Sequence, residues 1–329
     1  MIEHFAIIGN GRDWCKWCLT DFEKREDTTL VNSYLPCPSK GVLSKLARFH
    51  YSVRLNKVFN FPFKSVWYKL FCKTLKLNRN ENTVLIIYDK SRLVNDRKFL
   101  SYIKRTYKRT KLIYMFTDVV RLSGAVQNNF IQDIKKYYDY IFAFDPKDAS
   151  EYGFEYSPLL YSRNTFEVDS KKNVFYVGRA KDRLPILLSI YEKLMKKNFA
   201  CDFNIVDVSK DEMKYENFIK YNEMMKYEEV LRRIQQADIL VDAIQGNSTG
   251  LTIKTCEAVV YNKKLITTNK EIIKYPFYDS KYICVVDSAD DISDSFLYEN
   301  RDVKFSEEGT KYFSIDNYVE KLNSMVVYE

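Results

Sequence analysis

The chain has 329 residues, of which 46% are hydrophobic, 16% aromatic and 29% charged, and its formal net charge is +8. This hydrophobic content excludes an intrinsically disordered chain, and nine glycines exclude collagen-like or glycine-rich low-complexity sequence. At about 150 residues per domain, the length predicts two domains.

The apolar runs of the chain are short. Thr83–Tyr88 and Tyr140–Phe144 are among the best of them, and both fall far below the roughly 20 residues that a membrane-spanning helix needs. The acidic start Met1–His4 and the four apolar residues that follow it do not form a secretory signal. Seven scattered cysteines are typical of reduced thiols. We therefore expect a cytoplasmic protein.

In the first half of the chain, predicted strands alternate with helical or polar sequence. The helix is expected at about Asn95–Lys108, and the strands are expected at Phe5–Gly9, Thr83–Tyr88, Lys111–Phe116 and Tyr138–Phe144. This alternation predicts a parallel sheet with helices on both faces.

The alternation restarts after an irregular, proline-containing segment at residues 155–169. Helices are predicted at Leu184–Lys197, Tyr227–Gln236, Leu251–Tyr261 and Ser314–Val327. Further strands are predicted at Asn173–Val177, Asp202–Val206, Ile239–Ala243, Lys264–Thr267 and Tyr282–Val286. The fold class is thus α/β with two doubly wound, Rossmann-like domains, at residues 1–165 and 166–312, and a closing C-terminal helix at residues 313–329.

Positive charge is concentrated near the start of the chain. Residues 1–110 carry 22 basic and 9 acidic side chains, which leaves 30 basic and 35 acidic ones for residues 111–329. The segment Thr28–Asn80 holds ten Lys or Arg and nine aromatic residues, but no Asp or Glu. A basic, aromatic surface is therefore expected in the first domain.

A helix over residues 64–77 would place three lysines on one side, with apolar residues including Val66 and Trp67 opposite; the lysines are Lys69, Lys73 and Lys76. This pattern is typical of attachment to an anionic membrane surface. It is equally typical of a core-facing helix with a solvated basic side. Nucleic acid is disfavoured because no recognition motif accompanies the charge.

Ligands of such sheets bind at the carboxyl ends of the strands, where loops lead into helices. Gly9 and Gly11 follow the first strand, but the third glycine of a dinucleotide-binding fingerprint is replaced by Trp14. Dinucleotide binding is therefore only weakly indicated.

Two further motifs carry little weight. Cys15 and Cys18 form a Cys-x-x-Cys pair, but no second pair completes a zinc site, so ordinary thiols are expected. Asp287, Asp290 and Asp291 follow a strand and resemble a metal-binding Asp-x-Asp motif, but charged loops after strands are common. We expect no metal ion.

The segment Phe175–Arg183 leads from a strand into a helix and suits an anion. Gly178 allows close backbone approach, while Arg179, Lys181 and Arg183 offer charged donors to a diphosphate. The alternative is a solvated basic helix start, which is disfavoured because cations at a helix N-terminus need an anion.

The segment Val241–Leu251 also ends a strand and opens a helix. Its small and polar residues expose backbone N–H groups and hydroxyls to a phosphate; they include Gln245, Ser248, Thr249 and Gly250. Glu257, further along this helix, can accept hydrogen bonds from ribose hydroxyls. The alternative is that Ser248 or Thr249 only caps the helix and that Glu257 is a surface carboxylate.

These segments resemble bacterial glycosyltransferases of capsule and lipopolysaccharide biosynthesis. The resemblance covers residues 138–290 well and the first 110 poorly, and it is carried by Tyr140–Ala149, Val174–Arg183, Gln245–Lys254, Cys256–Ala258 and Asn262–Asn269.

The resemblance implies the GT-B architecture, in which two Rossmann-like domains face each other across a cleft. The C-terminal domain would bind the nucleotide-sugar donor, and the N-terminal domain would bind the acceptor. The loop Arg179–Arg183 and the pair Thr249 and Gly250 would contact the diphosphate, and Glu257 the ribose. The donor is a substrate, with UDP or GDP favoured as its nucleotide, and no cofactor is implied.

The reaction expected from this resemblance is metal-independent transfer of a sugar to a hydroxyl of a lipid-linked or oligosaccharide acceptor. The basic loops and a helix dipole would stabilise the departing diphosphate. An inverting enzyme also needs a general base, for which Asp118, Asp13 and His4 are candidates in that order. Retaining members often carry a glutamate eight residues before Glu257, where this chain has Thr249, so the anomeric outcome stays open.

Two other classes of function stay open. A phosphotransferase acting on a CDP-linked polyol would use a catalytic histidine, but His4 and His50 are the only histidines and both lie in the first half. A non-catalytic carbohydrate-binding protein would not need these two loops. We therefore expect a nucleotide-sugar and a saccharide or lipid-linked acceptor as partners, with an anionic membrane surface as a further candidate at the inner face of the cell membrane. No nucleic acid is expected.

Overall fold

The computed structural model describes residues 1–37, 40–59, 61–122, 130–246 and 248–328. The chain forms two compact units. The first unit contains Met1–Ser157 together with Tyr318–Glu329, and the second contains Pro158–Asn317. Within the described residues, no helix is long and apolar enough to cross a membrane.

The first unit is built on a sheet of six parallel strands. In chain order they are β1 (His4–Ile8), β2 (Thr28–Val31), β3 (Thr83–Tyr88), β4 (Thr110–Met115), β5 (Tyr140–Ala143) and β6 (Glu155–Tyr156). Their spatial order is β2-β1-β3-β4-β5-β6, and each pair of neighbours is parallel. Every residue of β1 and β3 is buried, as expected for central strands covered by helices on both faces.

The described helices of the first unit lie between these strands in the chain. They are α1 (Asp13–Cys18), α2 (Thr20–Glu23), α3 (Val42–His50), α4 (Val53–Val58), a 3₁₀ helix at Lys64–Trp67, α5 (Tyr68–Thr74), α6 (Arg97–Thr106), α7 (Phe130–Tyr137) and α8 (Pro146–Tyr152). Asp96 caps α6 by accepting a hydrogen bond from the Phe99 N–H, and Asp145 caps α8 with Pro146 in its first turn.

The second unit repeats the architecture with another six parallel strands. They are β7 (Val174–Arg179), β8 (Cys201–Val206), β9 (Lys220–Tyr221), β10 (Ile239–Asp242), β11 (Lys264–Thr267) and β12 (Ile283–Val285). Their spatial order is β12-β11-β10-β7-β8-β9.

The described helices of the second unit connect these strands. They are 3₁₀ helices at Lys181–Arg183, Lys210–Glu212, Lys270–Lys274 and Ala289–Asp291, and α9 (Leu184–Lys196), α10 (Tyr227–Gln236), α11 (Ile253–Val260), α12 (Asp294–Tyr298) and α13 (Glu307–Lys311). The last helix, α14 (Ile315–Met325), begins in the second unit and ends in the first.

The predicted fold class is confirmed, and all nine strands predicted from the sequence are present. Three further strands, β2, β6 and β9, were not predicted. Each lies at a sheet edge, and β6 and β9 have only two residues, so none of the three carries a long apolar run. The units divide after Ser157, whereas the sequence places the boundary near residue 165.

The basic helix predicted over residues 64–77 differs from the observed structure. A 3₁₀ helix is followed by the short helix α5, which ends at Thr74, and Lys76 lies beyond it with a left-handed φ of 53°. Lys69 and Lys73 are exposed on α5, so only two of the three lysines share a helix face.

The apolar side of this segment also differs in part. Trp67 is half-buried, and its Nε1 donates a hydrogen bond to His50 Nδ1 at 2.8 Å. Val66 was expected on the same buried side, but 63% of its surface is exposed. The 3₁₀ geometry causes this, because its three-residue period does not keep Val66 in line with the buried face of α5.

Candidate functional site

In the sheet of the second unit, the order in which the chain adds strands reverses between two neighbouring strands, β7 and β10. From β7 the chain continues to β8 and β9 on one side, whereas β10 leads to β11 and β12 on the other. In open parallel sheets, ligands bind outside the carboxyl ends of the strands at such a switch point. The two loops predicted to bind a diphosphate follow β7 and β10, so the fold brings them to the same place.

Arg183 joins the two loops. Its Nη1 donates to the carbonyl of Ala243, after β10, at 2.8 Å. Its Nε donates to the carbonyl of Ala180 at 3.3 Å, and its Nη2 donates to the carbonyl of Arg179. Three N–H donors of the guanidinium group are therefore used to hold the backbone of the site.

Two more contacts link the loops. Lys181 Nζ donates to Gln245 Oε1, which joins two side chains that were predicted separately as donor-binding residues. The N–H of Gly246 donates to Asp182 Oδ2 at 2.9 Å. Lys181 and Gly246 both have positive φ, 48° and 40°. The sequence therefore identified the residues at this junction, but not the role of Asp182.

Gly178 and Arg179 are the last two residues of β7, which extends two residues beyond the predicted strand. A Cβ atom at Gly178 would come within 2.7 Å of the Tyr176 hydroxyl oxygen, so the close approach of this side chain favours glycine. The side chain of Arg179 is exposed, and its Nη1 lies 2.5 Å from Asp207 Oδ2. Arg179 is thus available at the surface of the site beside one carboxylate.

Asp242, the last residue of β10, anchors the start of α11. Its Oδ2 accepts hydrogen bonds from the hydroxyls of Thr252 at 2.7 Å and Thr255 at 3.2 Å. Thr252 is the N-cap and accepts from the N–H groups of Lys254 and Thr255. The cap is therefore neither Ser248 nor Thr249. Burial raises the pKa of Asp242, while its two hydroxyl donors oppose that shift.

The residues between β10 and α11 are held by backbone contacts. The N–H of Ser248 donates to the Gln245 carbonyl at 3.1 Å, and the Gly250 carbonyl accepts from Asn269 Nδ2 at 3.1 Å. Thr249 is half-buried. Asn247, which is part of the predicted loop, lies outside the described residues.

Glu257 lies just over one turn into α11 and is completely buried. Its Oε2 is 2.6 Å from Lys254 Nζ, and its Oε1 accepts a hydrogen bond from the Tyr227 hydroxyl at 2.6 Å. Lys254 Nζ also lies 5.4 Å from the ring centre of Phe175. Glu257 is therefore not a surface carboxylate, and contact with a ribose stays a prediction. Lys254 and Tyr227 were missed because nothing in their local pattern marks burial.

The carboxyl edge of the first sheet carries a second charged cluster. Asp118, after β4, lies 2.9 Å from Lys90 Nζ and 4.0 Å from Arg12 Nη2. Lys90 is also 3.5 Å from buried Asp89, which accepts a hydrogen bond from the Thr117 hydroxyl. Burial raises the pKa of Asp89. The sequence identified Asp118 but missed Asp89 and Lys90, which directly follow the predicted strand β3.

The other two candidates for a general base lie at opposite ends of the neighbouring strand β1. Asp13 is the exposed first residue of α1, which follows the carboxyl end of β1. His4 begins β1 at its amino end, where its Nε2 lies 3.1 Å from the Leu75 carbonyl oxygen. His4 is therefore not at the edge where ligands of parallel sheets bind.

The glycines after β1 are explained by packing. A Cβ at Gly9 would lie 2.5 Å from Asn32 Oδ1, and one at Gly11 would lie 2.9 Å from the ring of Tyr34. Gly11 has a φ of 70°, and its N–H donates to Asn32 Oδ1 at 3.0 Å. These contacts account for both glycines without a dinucleotide.

Two other sequence motifs also have structural explanations. Cys15 and Cys18 are buried on α1, and burial raises the pKa of Cys15 to about 12. Asp291 forms a capping box with Ser288, and Asp287 lies 2.7 Å from Lys270 Nζ. Among the residues that the structure describes, no group of three side chains is arranged to bind a metal ion.

No family model matches the chain, and no curated protein sequence is significantly similar to it. Solved structures do share its fold. An alpha-glucosyltransferase in complex with UDP-glucose and DNA containing an abasic site is 15% identical, with a TM-score of 0.59 and 98% of each chain covered. An alpha,alpha-trehalose-phosphate synthase (UDP-forming) from Burkholderia vietnamiensis is 10% identical, with a TM-score of 0.52 and 99% of each chain covered.

TarM is 14% identical with a TM-score of 0.50, and the match covers 80% of this chain and 58% of TarM. Together with the two six-stranded parallel sheets, these similarities show that the chain has the GT-B fold, made of two Rossmann-like domains. Identities of this size establish the fold alone.

Proposed function

We propose that this protein is a glycosyltransferase that moves a sugar from a nucleoside-diphosphate donor to a hydroxyl of a saccharide or lipid-linked acceptor in surface polysaccharide assembly. The observation that carries the proposal is the pair of linked loops at the switch point of the second sheet. Lys181, Arg183 and Gln245 lie there beside the start of α11. An arrangement of cations and backbone N–H groups at such a position suits a diphosphate.

The donor is a substrate and no separate cofactor is proposed. Two proteins with the same fold involve UDP: one is an alpha-glucosyltransferase in complex with UDP-glucose, and the other is a UDP-forming alpha,alpha-trehalose-phosphate synthase. We therefore favour UDP, with GDP as the next choice. The proposed donor contacts are Gly178, Arg179, Lys181, Arg183, Gln245, Ser248, Thr249, Gly250 and Glu257.

Transfer breaks the bond between the anomeric carbon and the diphosphate, so negative charge develops on the phosphate oxygens. Arg179 and Lys181 supply positive charge, and the N-terminus of α11 adds a favourable dipole. Besides its proposed contact with the donor, Arg183 acts through the backbone, because three of its N–H donors fix the relative positions of the two loops. These groups support metal-independent catalysis.

On the acceptor side, we propose Asp118 as the base that takes the proton of the acceptor hydroxyl, with Asp13 as the second candidate. Lys90, at 2.9 Å, orients the Asp118 carboxylate. Asp118→Asn should abolish sugar transfer and leave nucleotide binding intact, because the amide accepts no proton. Full transfer activity in this variant would remove Asp118 from the role.

Thermal unfolding in the presence of UDP, GDP, CDP or NAD tests the donor site. A nucleotide at about 100 times its Kd adds roughly 2.7 kcal/mol to the free energy of unfolding, which raises Tm by several degrees. We expect one nucleoside diphosphate to stabilise the protein, and Arg179→Ala and Lys181→Ala to reduce the shift. Arg232→Ala is the matched control, since Arg232 is also an exposed arginine with one carboxylate partner, Glu228.

The results separate the alternatives. An equal nucleotide shift in both loop variants and in the control would exclude the linked loops as the donor site. A shift with NAD alone would contradict the transferase assignment, and a response to CDP alone would favour a CDP-polyol phosphotransferase. Glu257→Gln tests the ribose contact, because a full nucleotide shift in this variant would exclude it.

A further inference from the structure

Helix α3 exposes its large apolar residues and buries small ones. Its buried residues are Ser44 and Ala47, three positions apart on one face. Val42, Leu46 and Phe49 share another face and are 74%, 49% and 54% exposed. Surface helices normally bury their apolar stripe against the core. Phe49 contacts the ring of Phe61, with 5.4 Å between the ring centroids. Most of the apolar face of α3 nevertheless stays exposed in the part of the chain that the structure describes.

The exposed apolar surface continues beyond α3. Helix α4 buries none of its residues, and Val58 at its end is 91% exposed. Phe63 is 77% exposed. Among the described residues, 20 large hydrophobic side chains are exposed, and ten of them form what we call the apolar-basic surface: Val42, Leu43, Leu46, Phe49, Val53, Leu55, Val58, Phe59, Phe63 and Val66.

This surface carries charge of one sign. Between residues 42 and 66 the chain has five Lys or Arg and no Asp or Glu; the cations are Lys45, Arg48, Arg54, Lys57 and Lys64. The absence of acidic residues extends over the whole of Thr28–Asn80. The charged residues that this segment itself contributes are therefore all positive.

The surface is attached firmly to the first unit. Tyr51, just after α3, and Tyr68 in α5 both donate hydrogen bonds to the Asp96 carboxylate at 3.0 Å. His50, the last residue of α3, accepts a hydrogen bond from Trp67 Nε1. These partly buried contacts hold α3 on the core through its other face, so exposure of the apolar residues is a property of the folded protein.

We propose that the apolar-basic surface docks on an anionic lipid bilayer. Aliphatic and aromatic side chains that insert between lipid headgroups, surrounded by cations that face the headgroups, are the pattern of interfacial membrane binding. A second copy of the chain would bring five cations against five in a two-fold interface. Nucleic acid would leave Val42, Leu46 and Val58 without apolar contacts, because bases stack on aromatic rings.

The proposal moves the membrane contact away from the residues that the sequence indicated. Lys69 and Lys73 contribute charge from α5, and Trp67 is half-buried against His50. The inserted groups are instead the side chains of α3, α4 and Phe63. The inference rests in part on the proposed function, since a lipid-linked acceptor is one of its two alternatives, but the evidence for the surface does not depend on the donor site.

Vesicle co-sedimentation of the full chain, without nucleotide, tests the proposal. We expect binding to vesicles of phosphatidylglycerol and phosphatidylcholine, and much weaker binding to phosphatidylcholine alone. Val58→Ser with Phe63→Ser should weaken binding about tenfold through lost insertion. Arg54→Ala with Lys57→Ala should weaken binding to the anionic vesicles about 25-fold, since each cation contributes about fivefold.

The matched control is Phe218→Ser with Met224→Ser, which removes two comparably exposed apolar side chains from the second unit. Its vesicle binding should equal that of the unmodified chain. Absence of binding to anionic vesicles, or unchanged binding in the Val58 and Phe63 variant, would overturn the proposal. So would a dimer in sedimentation equilibrium that dissociates in this variant without any vesicle binding. The surface variants should keep the nucleotide-induced shift in Tm whether or not the chain binds vesicles. Failure of the membrane proposal and failure of the donor-site proposal are therefore distinguishable.

Discussion

Asp242 shows how one buried side chain supports the candidate donor site. Its carboxylate is almost completely buried at the end of β10, where two threonine hydroxyls donate to it. Burial disfavours the charged form, and this effect outweighs the hydrogen bonds, so the pKa of Asp242 is raised above its ordinary value of 3.8. Protonation of this residue is therefore linked to the stability of the second unit.

The sign of the linkage predicts the pH dependence. Because the folded pKa is raised, the folded state binds more protons than the unfolded state, and Asp242 reduces stability as pH rises above about 4. Asp242→Asn removes this titration and keeps an oxygen acceptor. Relative to the unmodified protein, the Tm of the variant should therefore rise between pH 4 and pH 7.

Differential scanning calorimetry across this pH range measures the effect. Asp302→Asn, an exposed carboxylate in the same unit, serves as the control and should leave the pH profile unchanged. Identical pH profiles for Asp242→Asn and the unmodified chain would show that Asp242 titrates alike in the folded and unfolded states.

At the level of elements, α11 is unusual because every residue from Lys254 to Val260 is buried. Two of these residues, Lys254 and Glu257, carry opposite charges on neighbouring turns, and their charged atoms are 2.6 Å apart. Each charge is therefore compensated inside the core, which lets a helix with ionisable residues pack against both β10 and β11.

Removal of one partner should destabilise the second unit strongly. Lys254→Met leaves the Glu257 carboxylate buried without its cation, at a cost of about 3–5 kcal/mol in the free energy of unfolding. The double variant Lys254→Met with Glu257→Leu should recover most of this loss, because no buried charge remains. Chemical denaturation followed by fluorescence measures both.

The matched control is the exposed pair Lys274 and Glu271, whose charged atoms are also 2.6 Å apart at the same spacing in the chain. Lys274→Met should cost no more than about 1 kcal/mol because water screens both charges. An equal loss at the two sites would refute the argument from burial.

At the scale of the whole molecule, the chain returns to its first unit at the C-terminus. The hydroxyl of Tyr140 donates to the Met325 carbonyl at 3.1 Å, and that of Tyr328 donates to the Thr83 carbonyl at 2.9 Å. Leu322 of α14 is buried in this unit. The C-terminal segment is therefore part of the packing of the first unit, although it follows the second in sequence.

Core substitutions in the two units should therefore act on separate thermal transitions. Leu322→Ala should lower the free energy of unfolding of the first unit by about 2–5 kcal/mol and so lower its Tm. The Tm of the second unit, which is the one raised by nucleotide, should not change. Leu187→Ala, at a fully buried position of α9, should do the reverse. Calorimetry with and without UDP identifies which transition belongs to which unit. If each variant lowered the Tm of both transitions, the two units would unfold together.

The sequence alone determined the central architecture, and it predicted where the donor would bind. The apolar run Val84–Tyr88, for example, forms a central strand because burial on both faces requires continuous hydrophobic residues. Since parallel strands place their following loops at one edge, the cationic loop after β7 and the glycine-containing loop after β10 could be assigned to one site.

Only the tertiary structure decided which side chains lie inside the protein. Residue spacing defines the faces of a helix, but burial depends on what packs against each face. Glu257 was therefore open to interpretation as a surface residue until Lys254 and Tyr227 were seen to enclose it. For the same reason the sequence pointed to lysines on α5, whereas packing buries Ser44 and leaves the apolar residues of α3 exposed.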